Sequence, residues 1–409
     1  MNRREFLKRA ASLGSAGVVF GPGAWMTRAF ADSGNQARLI VVFLRGAVDG
    51  LNVVPPHGEA AYYHARPAIA VPQPAVLDLD GHFGLHPALS SLMPLWHERS
   101  LAFVNACGSP DATRSHFDAQ DYMESGTPGI KGTPDGWLNR LLAAMPAPHR
   151  PTDALNLGPV VPRILSGPVA VANMPMGRGA GRPIPLDRPR IEQPFSRLYQ
   201  GRDPLSRAFQ EGYQSRQQLL SELGQDMQAA DNGAPHPDRA FAESGARLGR
   251  LMARDPSIRI AFAALGGWDT HVNEGAADGQ LANQLRPLGD GLVSLARGLG
   301  PAYQRTVIVV MSEFGRTARE NGNGGTDHGH GNVMWLAGGA IRGGKVYGNW
   351  PGLDESGLYQ GRDLAVTTDF RAVLQVVIRR HMAIGGGGVN RVFPGFSSGA
   401  GGLDDLVQA

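Results

Sequence analysis

Thr306-Val-Ile-Val-Val-Met311 is an unbroken apolar run that turns polar at Ser312-Glu313-Phe314-Gly315-Arg316-Thr317. A short run rich in β-branched residues reads as a strand buried on both faces, as in parallel sheets. Upstream, Leu281, Leu285, Leu288, Leu292, Leu295 and Leu299 recur at alternating spacings of four and three, which is one face of a helix. Pro287 interrupts that series and predicts a kink or a helix start. Before it lies a second apolar run, Ile258-Arg-Ile-Ala-Phe-Ala-Ala-Leu265. Strand, helix and strand over this distance imply a right-handed parallel crossover.

Similar runs are Arg38-Leu-Ile-Val-Val-Phe-Leu44, Leu101-Ala-Phe-Val104 and Val333-Met-Trp-Leu-Ala337. A last helix is expected from about Asp369 to His381, with Val373, Val376 and Val377 inward. The predicted fold class is α/β, a mostly parallel central sheet flanked by helices. Residues 174–200 are rich in Pro, Arg and Gly, and residues 203–253 read as polar and helical; together they predict an insertion or cap over about 174–253. The Gly/Ser-rich stretch from Gly385 predicts a loosely ordered tail.

The N-terminus reads Asn2-Arg3-Arg4-Glu5-Phe6-Leu7-Lys8-Arg9, then an apolar stretch from Ala10 to Phe20, then Ala29-Phe30-Ala31. Twin arginines, a short apolar region and a small-x-small site form a Tat export signal, with cleavage expected after Ala31. The apolar stretch is too short to span a bilayer, which takes about 20 residues. The expected domains are therefore a signal at 1–31 and a single α/β domain at 32–409. The expected location is the periplasm, or another site reached by export through the Tat pathway, with the Tat translocase as a partner during export and no stable membrane span afterwards. The formal charge of +3 is a property of that leader: removing residues 1–31 leaves −1. No basic footprint for nucleic acid remains. The single cysteine, Cys107, excludes an internal disulfide and reads as a packed thiol.

The chemistry gathers at strand ends. Asp49 follows the run ending at Leu44, Asp269 and His271 follow the run ending at Leu265, and Glu313 follows Met311. In open α/β sheets ligands collect beyond the carboxyl ends of the strands, so these side chains are expected at one rim. Gly324-Gly-Thr-Asp-His-Gly-His-Gly331 adds Asp327, His328 and His330 among four glycines. Carboxylates and imidazoles on a tight loop are what a Zn or Mn site needs. Each residue alone has a plainer reading. Asp49 before Gly50 suits a turn, Asp269-Thr270 suits a helix cap, and Glu313 can pair with Arg316 or Arg319. Arg114-Ser-His-Phe-Asp-Ala-Gln-Asp121 reads equally as a capped helix or as an activated Ser115 at a helix N-terminus.

Five motifs carry a specific resemblance: Leu44-Arg-Gly-Ala-Val-Asp-Gly-Leu-Asn52, Arg114 to Asp121, Gly267-Trp-Asp-Thr-His271, Ser312 to Thr317, and Thr326-Asp-His-Gly-His330. Over nearly the whole mature length the chain resembles the exported bacterial family of domain of unknown function 1501, grouped with the alkaline phosphatase and sulfatase superfamily. That resemblance implies one or two divalent ions (Zn, Mn, Ca or Mg) held by Asp49, Asp269, His271, Glu313, Asp327, His328 and His330. It also implies Ser115 as nucleophile, with Arg316 or Arg114 holding the anion. The pattern departs from relatives at Glu313-Phe314, where they carry Asp-His, and the Asp327–His330 loop is expected to restore the missing imidazole. Cys107-Gly-Ser-Pro-Asp111 does not fit the sulfatase Cys-x-Pro-x-Arg motif, so formylglycine chemistry is not expected. The implied function is hydrolysis of a small anionic phosphate or sulfate ester. The alternative is a catalytically silent periplasmic binding or assembly protein.

Overall fold

The computed structural model describes residues 36–397, apart from 159, 175–193, 195, 202, 204, 208, 211–212 and 214–239, together with 402–408. The expected signal at 1–31 and most of the expected insertion lie outside the described residues.

The strands of the main sheet are β1 (Arg38–Leu44), β2 (Leu101–Gly108), β3 (Ala154–Leu157), β4 (Ala172–Met174), β5 (Ile260–Leu265), β6 (Thr306–Ser312), β7 (Asn332–Ala337), β8 (Lys345–Tyr347) and β9 (Thr368–Asp369). Their spatial order is β8-β2-β7-β6-β1-β5-β3-β4, with β9 also paired to β2. The pairings of β1 with β5 and β6, of β3 with β4 and β5, and of β2 with β8 and β9 are parallel. Strand β7 runs antiparallel to both β2 and β6. The sheet is thus central and mostly parallel, with helices on both faces.

Alternation sorts each apolar strand onto the two faces. Ile40, Val42, Leu44, Ile308 and Val310 pack in one core, and Leu39, Val41, Phe43, Val307 and Val309 in the other. The helices follow in chain order as α1 (Gly50–Val53), α2 (His116–Ser125), α3 (Trp137–Ala144), α4 (Ala240–Arg254), α5 (Gln280–Leu299), α6 (Phe370–Val376) and α7 (Gly386–Val392). Helices α4 and α5 cover the first face through Leu248, Leu251, Met252 and the leucines read from the sequence. Helices α3, α6 and α7 cover the second face.

Two expectations are corrected, at Pro287 and in the C-terminal stretch. Helix α5 begins at Gln280 and runs through Pro287, so the proline is neither its start nor its end. The last helix spans the expected range: Asp369 caps α6, which passes at Val377 into a π-helical turn ending at His381. The C-terminal stretch is anchored, because Val389, Val392, Phe393, Leu403, Leu406 and Val407 are all buried in the second core. Helix α4, which includes the described end of the expected insertion, packs in the helical layer against α5. A Cβ on Gly249 would sit 2.5 Å from the Leu295 carbonyl oxygen, and the glycine permits that approach. No helix among the described residues is long and apolar enough to cross a membrane.

Candidate metal centre

Leu44 at the end of β1 is in register with Leu265 of β5 and Ser312 of β6, so the residues after all three strands share one rim. The antiparallel sense of β7 brings the loop before it to the same rim. Asn332 fixes that entry by donating to the carbonyls of Phe314 (2.6 Å) and Val48 (3.1 Å). The 326–330 loop then zips against the 315–317 segment: Thr317 N donates to Asp327 O, Gly329 N to Gly315 O and Gly315 N to His330 O, at 2.8–2.9 Å. Gly46, with φ of +116°, lets the first loop lie against Trp268 and Asp269, where a Cβ would stand 2.8 Å from the Asp269 nitrogen. Helix α2 is drawn to the rim by Arg45, which reaches Gln120 and Glu124.

Three imidazoles and one carboxylate meet there. His328 Nε2 lies 2.9 Å from His116 Nε2, 3.0 Å from His271 Nε2 and 3.3 Å from Asp269 Oδ1. Asp269 Oδ1 is 3.1 Å from His271 Nε2 and 3.6 Å from His116 Nε2. His116, Asp269 and His328 form a group whose ligand atoms all lie within 4.8 Å of one another, and His271 lies beside that group and outside it. Donors bound at about 2.0–2.1 Å to a tetrahedral ion stand about 3.3 Å apart, which the separations of 2.9, 3.3 and 3.6 Å within the group bracket.

The opposite ring nitrogens explain why the Nε2 atoms face each other. His116 Nδ1 is 2.8 Å from Glu313 Oε1, and His328 Nδ1 is 2.9 Å from the Arg114 carbonyl. His271 Nδ1 faces Asp327 Oδ1 at 3.4 Å. With Nδ1–H directed at oxygen, the His116 and His328 rings present their Nε2 lone pairs inward. A cation satisfies both lone pairs together with the Asp269 carboxylate. The residues therefore fit a metal ion. Two imidazoles with one carboxylate suit a borderline transition ion better than Ca or Mg, which take oxygen ligands.

The surrounding electrostatics act in the same sense. Glu313 is buried, which by itself raises its pKa. Bonds from His116, Gln120 and the Gly46 nitrogen outweigh that and hold it below the usual range. Its hydrogen bond in turn raises His116. Burial lowers His328, and His116 and Arg316 push the same way. Burial opposes ionisation of Asp269, but Arg316 beside it prevails and holds it below the usual range.

A family model described as Protein of unknown function (DUF1501) matches residues 36–393. The chain belongs to the DUF1501 family. No curated protein matches this DUF1501 chain. Among solved structures, it is similar to Ps i-CgsB in complex with k-i-k-neocarrahexaose, at 11% identity over 86% of this chain and 72% of that one, with a TM-score of 0.37. It is also similar to the lipoteichoic acid synthase LtaP from Listeria monocytogenes, at 8% identity over 87% and 74%, with a TM-score of 0.35. Both scores are too low to carry conclusions about this chain.

Not every residue expected at the DUF1501 site reaches it. Asp269 and His328 do; His271 stands beside them, in contact with both and outside the ligand group, and Asp327 stands behind His271. Asp49 does not. It is fully buried as the N-cap of α1 and locked in a two-point pair with Arg66, at 2.5 and 3.1 Å, so its carboxylate is spent inside the protein. Glu313 orients His116 and is outside the ligand group. His330 is buried away from the group, with Nε2 on the Ser109 carbonyl.

Arg316 is also no anion clamp. Its buried guanidinium donates to the carbonyls of Ala47, Thr326, Gly46 and Trp268 and to Asp269, joining the loops that form the rim. Arg114 spends its guanidinium on Asp363 and Gln360. Ser115 takes the plainer of its two readings. It caps α2, its Oγ accepting from Asp118 N at 3.4 Å, and no described hydrogen bond joins it to a base. The residue that sequence reasoning missed is His116. It stands in Arg114-Ser-His-Phe next to the serine that caps α2, and its ring is turned to Glu313 and His328.

Proposed function

We propose that this protein is an exported metal-dependent hydrolase of phosphate or sulfate esters, with a single divalent ion, Zn or Mn, held by His116, His328 and Asp269 and with His271 beside them. The convergence of two imidazole nitrogens and one carboxylate oxygen carries the reading, and the superfamily resemblance of the motifs supports the ester class. When bound, such an ion supplies Lewis acidity, polarising an ester oxygen and making water a stronger nucleophile near neutral pH.

The chain's own residues prepare that site. Glu313, the Arg114 carbonyl and Asp327 keep the ring protons at Nδ1. Arg316 keeps Asp269 ionised and fixes its position at 2.5 Å. With Ser115 engaged as a helix cap, attack falls to water. The twin-arginine pattern at the N-terminus supports a substrate outside the cytoplasm.

A second reading, a metal-binding protein without catalysis, has one specific support. Asp49 and Ser115, the positions that the resemblance makes ligand and nucleophile, are both committed to structural bonds. Purified protein assayed for metal content and for turnover of aryl phosphate, phosphodiester and aryl sulfate separates the two. Stoichiometric metal with turnover lost in His116→Ala supports hydrolysis. Stoichiometric metal with no turnover supports the second reading, and absence of metal defeats both.

A further inference from the structure

Thr270 lies between Asp269 and His271, Thr326 lies two residues before His328, and both are fully buried. Their hydroxyls donate to the same atom, Oε2 of Glu274, at 2.9 and 3.0 Å. Oε1 of Glu274 accepts from Asn52 Nδ2 at 3.0 Å, and its backbone nitrogen donates to Gly324 O at 2.8 Å. The carboxyl is also hydrogen-bonded to Asp49, itself held by Arg66. Glu274, Asp49, Asn52 and Arg66 are all shut off from solvent.

Two buried carboxyl groups beside one guanidinium cannot both ionise cheaply, so they share one proton. Burial and the neighbouring Asp49 raise Glu274 well above the usual range, so Glu274 keeps the proton and donates it to Asp49. The network is then neutral overall and its hydrogen bonds are mutually reinforcing in a low-dielectric interior. It joins the two loops that deliver Asp269, His271 and His328. Backbone bonds also link these loops, from Thr326 N to Thr270 O at 3.2 Å, Asn273 N to Asn323 O at 3.1 Å and Glu274 N to Gly324 O at 2.8 Å, while the Glu274 carboxyl is the side chain that ties Thr270 to Thr326.

We propose that Glu274 is a positioning residue of the metal centre, its buried carboxyl setting the spacing between the His271 loop and the His328 loop. This rests on the metal-centre reading above and adds a residue that touches neither ion nor substrate.

The test measures Zn²⁺ affinity by competition with a chromophoric chelator, and the visible spectrum of the Co²⁺-loaded protein, for wild type, Thr326→Val and Glu274→Ala. Thermal unfolding of the metal-free forms is followed alongside. Thr326→Val, which removes only a hydroxyl, is expected to weaken Zn²⁺ about tenfold, and Glu274→Ala between about ten- and a hundredfold, as for other residues that orient metal ligands. Both are expected to alter the Co²⁺ spectrum. Wild-type affinity and an unchanged spectrum in Thr326→Val, with only a lower unfolding temperature, would overturn the assignment, and that variant decides if Glu274→Ala does not fold. A wild type that binds neither ion overturns both this assignment and the reading beneath it.

Discussion

Glu313→Gln isolates charge from shape at the metal centre. Oε1 of Glu313 accepts from His116, Gln120 and the Gly46 nitrogen, while Oε2 meets only the Ser312 hydroxyl. A glutamine can keep its oxygen at the crowded position and turn its amide toward Ser312, which then donates to Leu44 O instead. The side chain stays packed and bonded, and only the negative charge behind His116 is lost. Removal of such an orienting group weakens a metal site about 10- to 100-fold. At about 1.36 kcal/mol per decade that is roughly 1.4–2.7 kcal/mol. A hydrogen bond to a charged partner, worth about 1.5–3 kcal/mol against about 1 for a neutral pair, gives a loss of the same order. The assay is Zn²⁺ competition at pH 8, where proton competition is small, with circular dichroism to confirm the fold. Wild-type affinity in a folded Glu313→Gln protein would refute the idea that Glu313 orients a ligand.

Proton competition supplies the next expectation. His116 has a raised pKa, so it holds a proton to higher pH than an ordinary histidine, and Zn²⁺ affinity should fall as pH drops from 8 through about 6.5. In Glu313→Gln that fall should move to lower pH, and chelator competition at several pH values checks both. Arg66→Ala leaves Asp49 buried without its partner and should cost roughly 3–5 kcal/mol in urea unfolding; a loss under about 1 kcal/mol would mean the pair is not what holds the first loop. Ser115→Ala should lose about 1 kcal/mol of stability as a helix cap and keep its metal. Turnover of aryl phosphate by that variant should stay within about twofold of wild type, and its abolition would return the serine to the role of nucleophile.

The central strands were legible because β1 and β6 are buried on both faces and so are apolar throughout. Strands β3 and β4 were not, being four and three residues long with Asn156 and Asn173 inside them. The leucine series marked the buried face of α5 correctly, and Pro287 misled because its effect was weighed without the packing around it. At the site, Asp269, His271 and His328 were legible as polar residues at strand ends and in a glycine loop. Asp49 was misread because its partner, Arg66, lies 17 residues on with no motif to connect them. His116 was hidden for a related reason. Its ring reaches the cluster only because Arg45 holds α2 through contacts more than 70 residues apart in the chain, to Gln120 and Glu124.

The most direct measurement is an anomalous-difference map from crystals of the full-length protein grown with Zn²⁺. The expected result is one ion bonded to the Nε2 atoms of His116 and His328 and to Asp269, at about 2.0–2.2 Å. An ion bound elsewhere, or none at this cluster under saturating Zn²⁺, would contradict the account.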